Sequence, residues 1–141
     1  MIDRYLFNGE RATLILGYED YYITTTGRVF SAKKKVEYET LNGVKYQAIV
    51  YKELNQMNVK GYKVVSLSRR KEGAKKFYIH DLVYRNFIGD FNKHYFQIKH
   101  INKKKEDNNL NNLMLEFRKK DSKFIEKYFY QKKLLNCLNE Y

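Results

Sequence analysis

One histidine and two asparagines at short fixed distances are the residues of this chain best suited to chemistry. They are His100, Asn108 and Asn112, in the run IKHINKKKEDNNLNNL at positions 98–113. A neutral imidazole can take a proton from water, and an amide carbonyl can bind a hard divalent cation. The trio therefore holds parts for cutting a phosphodiester with Mg²⁺ or Mn²⁺, ions that keep several waters and need few protein ligands. The same run also reads as a plain lysine- and asparagine-rich loop. Spacing alone leaves both readings open.

Such chemistry needs an anionic substrate, and the charge of the chain suits one. Lys and Arg total 28 against 16 Asp and Glu, a formal charge of +12. Residues 1–60 carry 9 basic and 7 acidic side chains, whereas residues 61–141 carry 19 and 9. The second half is expected to make most of the contact with a nucleic acid. Lysines outnumber arginines 21 to 7 and Pro and Trp are absent, a usage that A+T-rich coding also produces, so part of the excess needs no partner. The single Cys137 excludes an internal disulfide and a multi-cysteine zinc site. With no signal-peptide pattern and no long apolar stretch, the expectation is an intracellular protein that is neither secreted nor in a membrane.

The elements that must position the trio follow from hydrophobic period. A length of 141 residues with 43% hydrophobic side chains favours one compact α+β unit. Residues 17–31, GYEDYYITTTGRVFS, join β-branched and aromatic runs through Gly17 and Gly27, which predicts a small antiparallel sheet. Lys33, Lys34 and Lys35 read as a loop or strand end, and Val44, Tyr46, Ala48 and Val50 alternate as in a half-buried strand. YKVVSLS at 62–68 is the clearest strand, and residues 69–76 read as a basic hairpin turn. At 80–89 the period changes to helical, with Leu82, Val83, Phe87 and Ile88 on one face, Asp81 as cap and Gly89 as stop. A strand at 95–100, one helical turn near 108–113 and a strand at 114–117 follow. From Asp121 onward, Phe124, Ile125, Tyr128, Phe129, Leu134, Leu135 and Leu138 among lysines predict an amphipathic helix.

Three of these segments, taken in order, resemble the HNH homing endonucleases of phages and introns. Residues 17–31 are similar to the modular DNA-binding motif that precedes the nuclease unit in that family. YKVVSLS and FYIHDLVYRNFIG at 77–89 are similar to the strand and helix between the two, and residues 98–113 resemble the HNH core. The resemblance implies an N-terminal β module at 1–60, a ββα-metal nuclease unit at 61–120 and a C-terminal helix at 121–141. It also implies a mobile-element enzyme that hydrolyses double-stranded DNA with Mg²⁺ or Mn²⁺, more naturally nicking than cutting both strands, as a monomer or a homodimer. On these positions His100 matches the water-activating histidine, Asn108 the middle asparagine that orients it, and Asn112 the metal ligand. His80 matches a histidine at the start of the connecting helix and is read as structural, bonded to backbone or capping the helix. His94 matches nothing and reads as a loop residue.

Tyr21, Tyr22 and the threonines at 24–26 offer backbone-positioning contacts, although each tyrosine singly reads as core. Arg28 is the better phosphate candidate. Lys33, Lys34, Lys35, Arg69, Arg70, Lys71, Lys75, Lys76, Lys103, Lys104 and Lys105 would add salt-sensitive affinity. The run departs from the family where a metal ligand often precedes the histidine, because Lys99 stands there; Asn102 and Lys103 replace an acid and a glycine. An ammonium cannot coordinate a cation at neutral pH. Either Lys99 points at the metal position and repels it, or strand alternation turns it onto a phosphate. Two other functions remain open: a catalytically degenerate DNA-binding regulator, and a structural RNA-binding or ribosome-associated protein.

Overall fold

Alternation and turns build the first half of the molecule, and the computed structural model describes residues 9–139. Strands β1 (Ala12–Ile15), β2 (Tyr18–Thr24), β3 (Val29–Glu39) and β4 (Lys45–Glu53) form an antiparallel meander in chain order. A second sheet holds β5 (Met57–Val59), β6 (Tyr62–Arg69) and β7 (Gly73–Tyr78). Lys60 and Gly61, at φ 54 and 88, join β5 to β6. Positive φ at both central residues lets a two-residue turn follow the twist of its strands. Helix α1 (Ile79–Phe87), the hairpin β8 (Phe96–His100) and β9 (Leu113–Phe117), and helix α2 (Ser122–Asn139) complete the α+β chain.

One core ties the two larger sheets to the site hairpin. Ile15, Tyr18, Tyr21 and Ile23 of the first sheet pack with Val65 and Leu67 of the second, Ile79, Leu82 and Val83 of α1, and Leu113 at the start of β9. The apolar contacts thus cross residue 60 without a break. Tyr21 is core, and its hydroxyl is bonded to Ser68 Oγ at 3.0 Å.

Several local expectations are corrected. β3 runs through Lys33, Lys34 and Lys35, with a register irregularity between Ser31 and Lys34, where a loop or strand end was expected. β4 forms, but Tyr46, Ile49 and Val50 remain 47%, 50% and 38% exposed, because this end of the ribbon extends beyond the core. The turn before β7 is short, since strand pairing resumes at Gly73. Tyr78 occupies the α1 cap position with no side-chain cap bond, and Asp81 lies in the first turn, paired with Lys93 at 3.5 Å instead of capping. Ile88 is exposed because α1 closes at Phe87 and Gly89 follows at φ 153.

In α2 the Asp121 carboxylate accepts the Lys123 N–H at 3.0 Å, satisfying one of the helix's unpaired donors. Phe124 and Tyr128 pack on Tyr95 and Phe96 with ring centroids 5.1 and 4.7 Å apart. Further along, Leu134 and Leu135 stay exposed, so among the described residues the apolar stripe is covered only near its start. The side chains of Lys33, Lys34, Cys137 and Leu138 lie outside the described set. No described helix is long and apolar enough to cross a membrane.

Candidate functional site

His100 is the last residue of β8, facing Leu113 across the hairpin. Beyond it the chain reverses: Lys103 adopts φ 62, and its N–H donates to the His100 carbonyl at 3.0 Å. The loop is closed by its own polar groups. Asn112 Oδ1 accepts the Asn102 N–H at 3.0 Å, and Asn112 Nδ2 donates to Asn102 Oδ1 at 2.9 Å and to the Asp107 carbonyl at 2.8 Å. Asn102 Nδ2 donates to the Asp107 carboxylate at 2.7 Å. Such closure is what burial of amides demands, since a buried polar group without a partner is costly.

Within this loop the histidine is held by one bond. His100 Nε2 lies 2.9 Å from Asn108 Oδ1, and both residues are buried, at 7% and 3% exposure. A carbonyl oxygen only accepts, so Nε2 carries the proton and Nδ1 keeps the lone pair. That is the tautomer a general base needs.

Asn108 is itself braced from the N-terminal sheet. The turn between β2 and β3 is stapled by Thr24, whose Oγ1 accepts the Arg28 N–H at 3.0 Å. The Thr25 carbonyl accepts the Leu110 N–H at 2.8 Å, and Gln56 Nε2 donates to the Gly27 carbonyl at 2.7 Å. Gly27 sits at φ 91, and a Cβ there would lie 2.8 Å from Asn108 Cβ and 3.0 Å from Ile79 Cγ2. Only glycine fits. The Thr24 to Gly27 turn thus packs against the loop that carries Asn108.

No family model matches the chain, and no curated protein matches it. A solved structure does: the HNH homing endonuclease I-HmuI, described for its DNA binding and cleavage, aligns at a TM-score of 0.56 with 22% identity. The match covers 89% of this chain and 59% of that one, so this chain spans about three-fifths of its neighbour's length. The two chains are similar in fold over the matched region. At this identity the likeness is one of fold.

Within this fold, His80 departs from its expected role. It neither caps α1 nor bonds to backbone: its Nδ1 is buried without a hydrogen-bond partner. The ring stacks on Tyr78 at 5.2 Å and meets His100 edge-on at 5.3 Å, with Tyr62 5.4 Å away. Burial lowers its pKa to about 4, opposed by the nearby Asp81 carboxylate and assisted by the His100 and Lys93 charges. Sequence reasoning missed Tyr62 and Tyr78 as parts of this wall. Tyr78 ends β7 and His80 lies in the first turn of α1, so strand alternation, which stops at the boundary, gave no signal for the pair.

The expected phosphate-binding cations divide into committed and open groups. Arg28 is committed: its guanidinium bonds Glu53 through Nε and Nη2, both at 2.9 Å, and lies 5.0 Å from the Phe30 ring centre. That hydrogen bond raises the Arg28 pKa and lowers that of Glu53, so a phosphate at Arg28 would compete with this pair. Arg69 covers Tyr18 at 4.2 Å and pairs with Glu72 at 3.3 Å. Lys105 covers Tyr62 at 4.7 Å and donates to the Lys60 carbonyl at 3.3 Å. Lys35, Arg70, Lys71, Lys75, Lys76, Lys103 and Lys104 are exposed. Lys99 is exposed on β8 next to buried His100, so alternation sends the two side chains to opposite faces. His94 is an exposed loop residue lying edge-on to Tyr95 at 4.7 Å.

Metal donors are few. Among the described residues no group of three or more His, Cys, Asp or Glu could hold an ion. The Asp107 carboxylate already accepts from Asn102 and Asn109, and Asn112 Oδ1 from Asn102. A carbonyl oxygen has two lone pairs, so Asn112 retains one acceptor position. This donor set does not fit a cation caged by protein alone. It fits one shared with phosphate oxygens, as Mg²⁺ commonly is.

Proposed function

We propose that this chain is a DNA-binding endonuclease of the HNH homing type, in which His100 activates water to hydrolyse one phosphodiester. The observation that carries this reading is the buried 2.9 Å bond from His100 Nε2 to Asn108 Oδ1. It fixes the ring and the tautomer, leaving Nδ1 to accept the proton from water. As the imidazolium forms, the Asn108 oxygen accepts from a charged donor, a stronger bond than the neutral one it replaces. Asn108 therefore favours the state that the base must reach. The solved neighbour binds and cleaves DNA, which supports the same substrate class here.

Lys103 and Lys104, exposed in the turn beyond His100, would hold backbone phosphates by charge, and their contribution would fall with salt. A Mg²⁺ or Mn²⁺ ion shared between Asn112 and the phosphate would neutralise charge on the phosphate and the leaving oxygen. A chain with one His100 per molecule nicks one strand, unless two copies pair.

A second reading has its own observation: Lys99 stands where the family often has a ligand, and the Asp107 carboxylate beside Asn108 is already held by Asn102 and Asn109. A degenerate, DNA-binding regulator would look the same. Incubating supercoiled plasmid with the full chain and Mg²⁺ or Mn²⁺ separates them. Nicking that disappears in His100→Ala and falls at least about a hundredfold in Asn108→Ala supports the nuclease. Salt-sensitive binding to duplex DNA with no nicking under either metal sinks it and leaves the regulator.

A further inference from the structure

A pocket of about 320 Å³ opens beside the histidine, with Tyr62, Tyr78, His80 and Phe91 in its walls and Lys93 and Arg118 among its lining residues. His100 does not line it. Two of its rings do touch His100, however, His80 at 5.3 Å and Tyr62 at 6.0 Å between centroids. Whatever occupies the pocket is a near neighbour of the base.

The walls are built for a flat ring. Tyr78 and His80 lie 23° from parallel at 5.2 Å, and Tyr62 stands at 79° to Tyr78 at 5.8 Å, so stacked faces and an upright ring make a corner. Tyr78 is 40% exposed, which leaves part of its surface open. The buried Nδ1 of His80, without a partner, belongs to a ring that burial keeps neutral at pH 7. A neutral imidazole suits stacking against a nucleobase, where a bare phosphate would call for charged donors.

A second part of the pocket suits an anion. Arg118 donates from Nε to the Lys93 carbonyl at 2.6 Å, and its terminal nitrogens have no acceptor among the described residues. Lys93 balances the Asp81 carboxylate at 3.5 Å, so the Arg118 charge is the one left over. Aromatic faces, a neutral imidazole ring and one guanidinium together match a nucleotide. The volume lies at the small end of ligand pockets, about 300 to 1,000 Å³, room for one nucleotide and not a base pair.

We propose that this pocket receives one unstacked nucleotide of the DNA strand, its base on the Tyr78 and His80 rings and its phosphate on Arg118, thereby selecting the phosphodiester presented to His100. The last clause rests on the nuclease reading; the pocket and its ligand do not. Extrusion of a base is easiest where it is mismatched or already single-stranded, and stacking on aromatic side chains offsets what is lost from the duplex. Occupancy should therefore favour a single-stranded or mismatched position over continuous duplex.

The test uses the full chain, ring-proton and ring-carbon NMR, and thymidine 5′-monophosphate as probe, with inorganic phosphate as control. The nucleotide is expected to shift the ring resonances of Tyr62, Tyr78 and His80, and phosphate to leave them in place. Tyr78→Ala should weaken the nucleotide about tenfold, and Arg118→Gln should weaken it while leaving the Tyr78 shift in direction unchanged. Thermal melts of both variants establish that they are folded. Phosphate moving the rings as far as the nucleotide does, no shift at saturating nucleotide, or a folded Tyr78→Ala that binds like the parent each overturns the proposal. Plasmid nicking reports on the nuclease reading separately: a chain that binds the nucleotide and does not nick loses that reading and keeps the pocket, and the reverse result does the opposite.

Discussion

Residues 101–112 and the ribbon of β3 and β4 invert the usual relation between composition and burial. The first stretch holds five asparagines and three consecutive lysines, yet Asn108 and Asn112 are 3% and 9% exposed. The second alternates Val, Tyr and Ile, yet Tyr38, Tyr46 and Ile49 are 52%, 47% and 50% exposed. The difference lies in what each segment meets. The loop closes its amides on one another and is pressed by Gly27, whereas the ribbon satisfies its backbone between two strands and presents both faces outward. Order at the site thus comes from polar closure against a brace, and apolar content is not its measure.

That contrast can be broken at several points. The largest effect should come from Asn112→Ala, which removes three hydrogen bonds and strands the Asn102 N–H and Asp107 carbonyl: a loss of about 4 kcal/mol in urea unfolding. Next is Gly27→Ala, which combines a left-handed backbone with contact on Asn108, at about 3 kcal/mol. Its nicking rate should fall with its stability, because the same contact holds Asn108. If Gly27→Ala melts like the parent, the brace is not there.

The third effect depends on pH. His80 in the folded chain binds its proton near pH 4, against an ordinary value of 6.5. As pH falls through this window the unfolded chain gains the proton first, so stability present above pH 6.5 is lost towards pH 4. The loss is at most about 3 kcal/mol. Comparing urea midpoints at pH 7.5 and 5 for the parent and for His80→Gln should show the slope only in the parent. The smallest effect belongs to the ribbon, where Ile49→Thr on an exposed strand face should change stability by no more than about 0.5 kcal/mol. A cost several times larger would mean that the ribbon's face is covered in solution.

Legibility in the sequence followed the reach of the interactions. Strands and turns set by near neighbours were readable: the β2 strand, the Gly17 turn, the β6 strand and the helical turn before β9. His100, Asn108 and Asn112 lie at one end of the β8–β9 hairpin, where His100 bonds Asn108 and Asn112 bonds Asn102 and the Asp107 carbonyl. Contacts between distant segments were not readable. Nothing in the sequence around Arg28 announces Glu53, 25 residues on, so its surface pairing was not readable. The orphaned nitrogen of His80 depends on Tyr62, Tyr78 and His100 converging from three elements. Asp81 looked like a cap by residue type, and the chain instead enters α1 from a strand with Tyr78 at that position.

The close fit of Gly27 under Asn108 limits how this architecture can be taken apart. A hairpin transplanted alone, residues 96–117, would carry His100 into a new scaffold without the surface that keeps Asn108 upright. The smallest portable piece is the hairpin together with the β2 to β3 turn and Gln56, a set scattered over some ninety residues of chain. Any replacement of the N-terminal sheet therefore becomes, unavoidably, an edit of the histidine's surroundings.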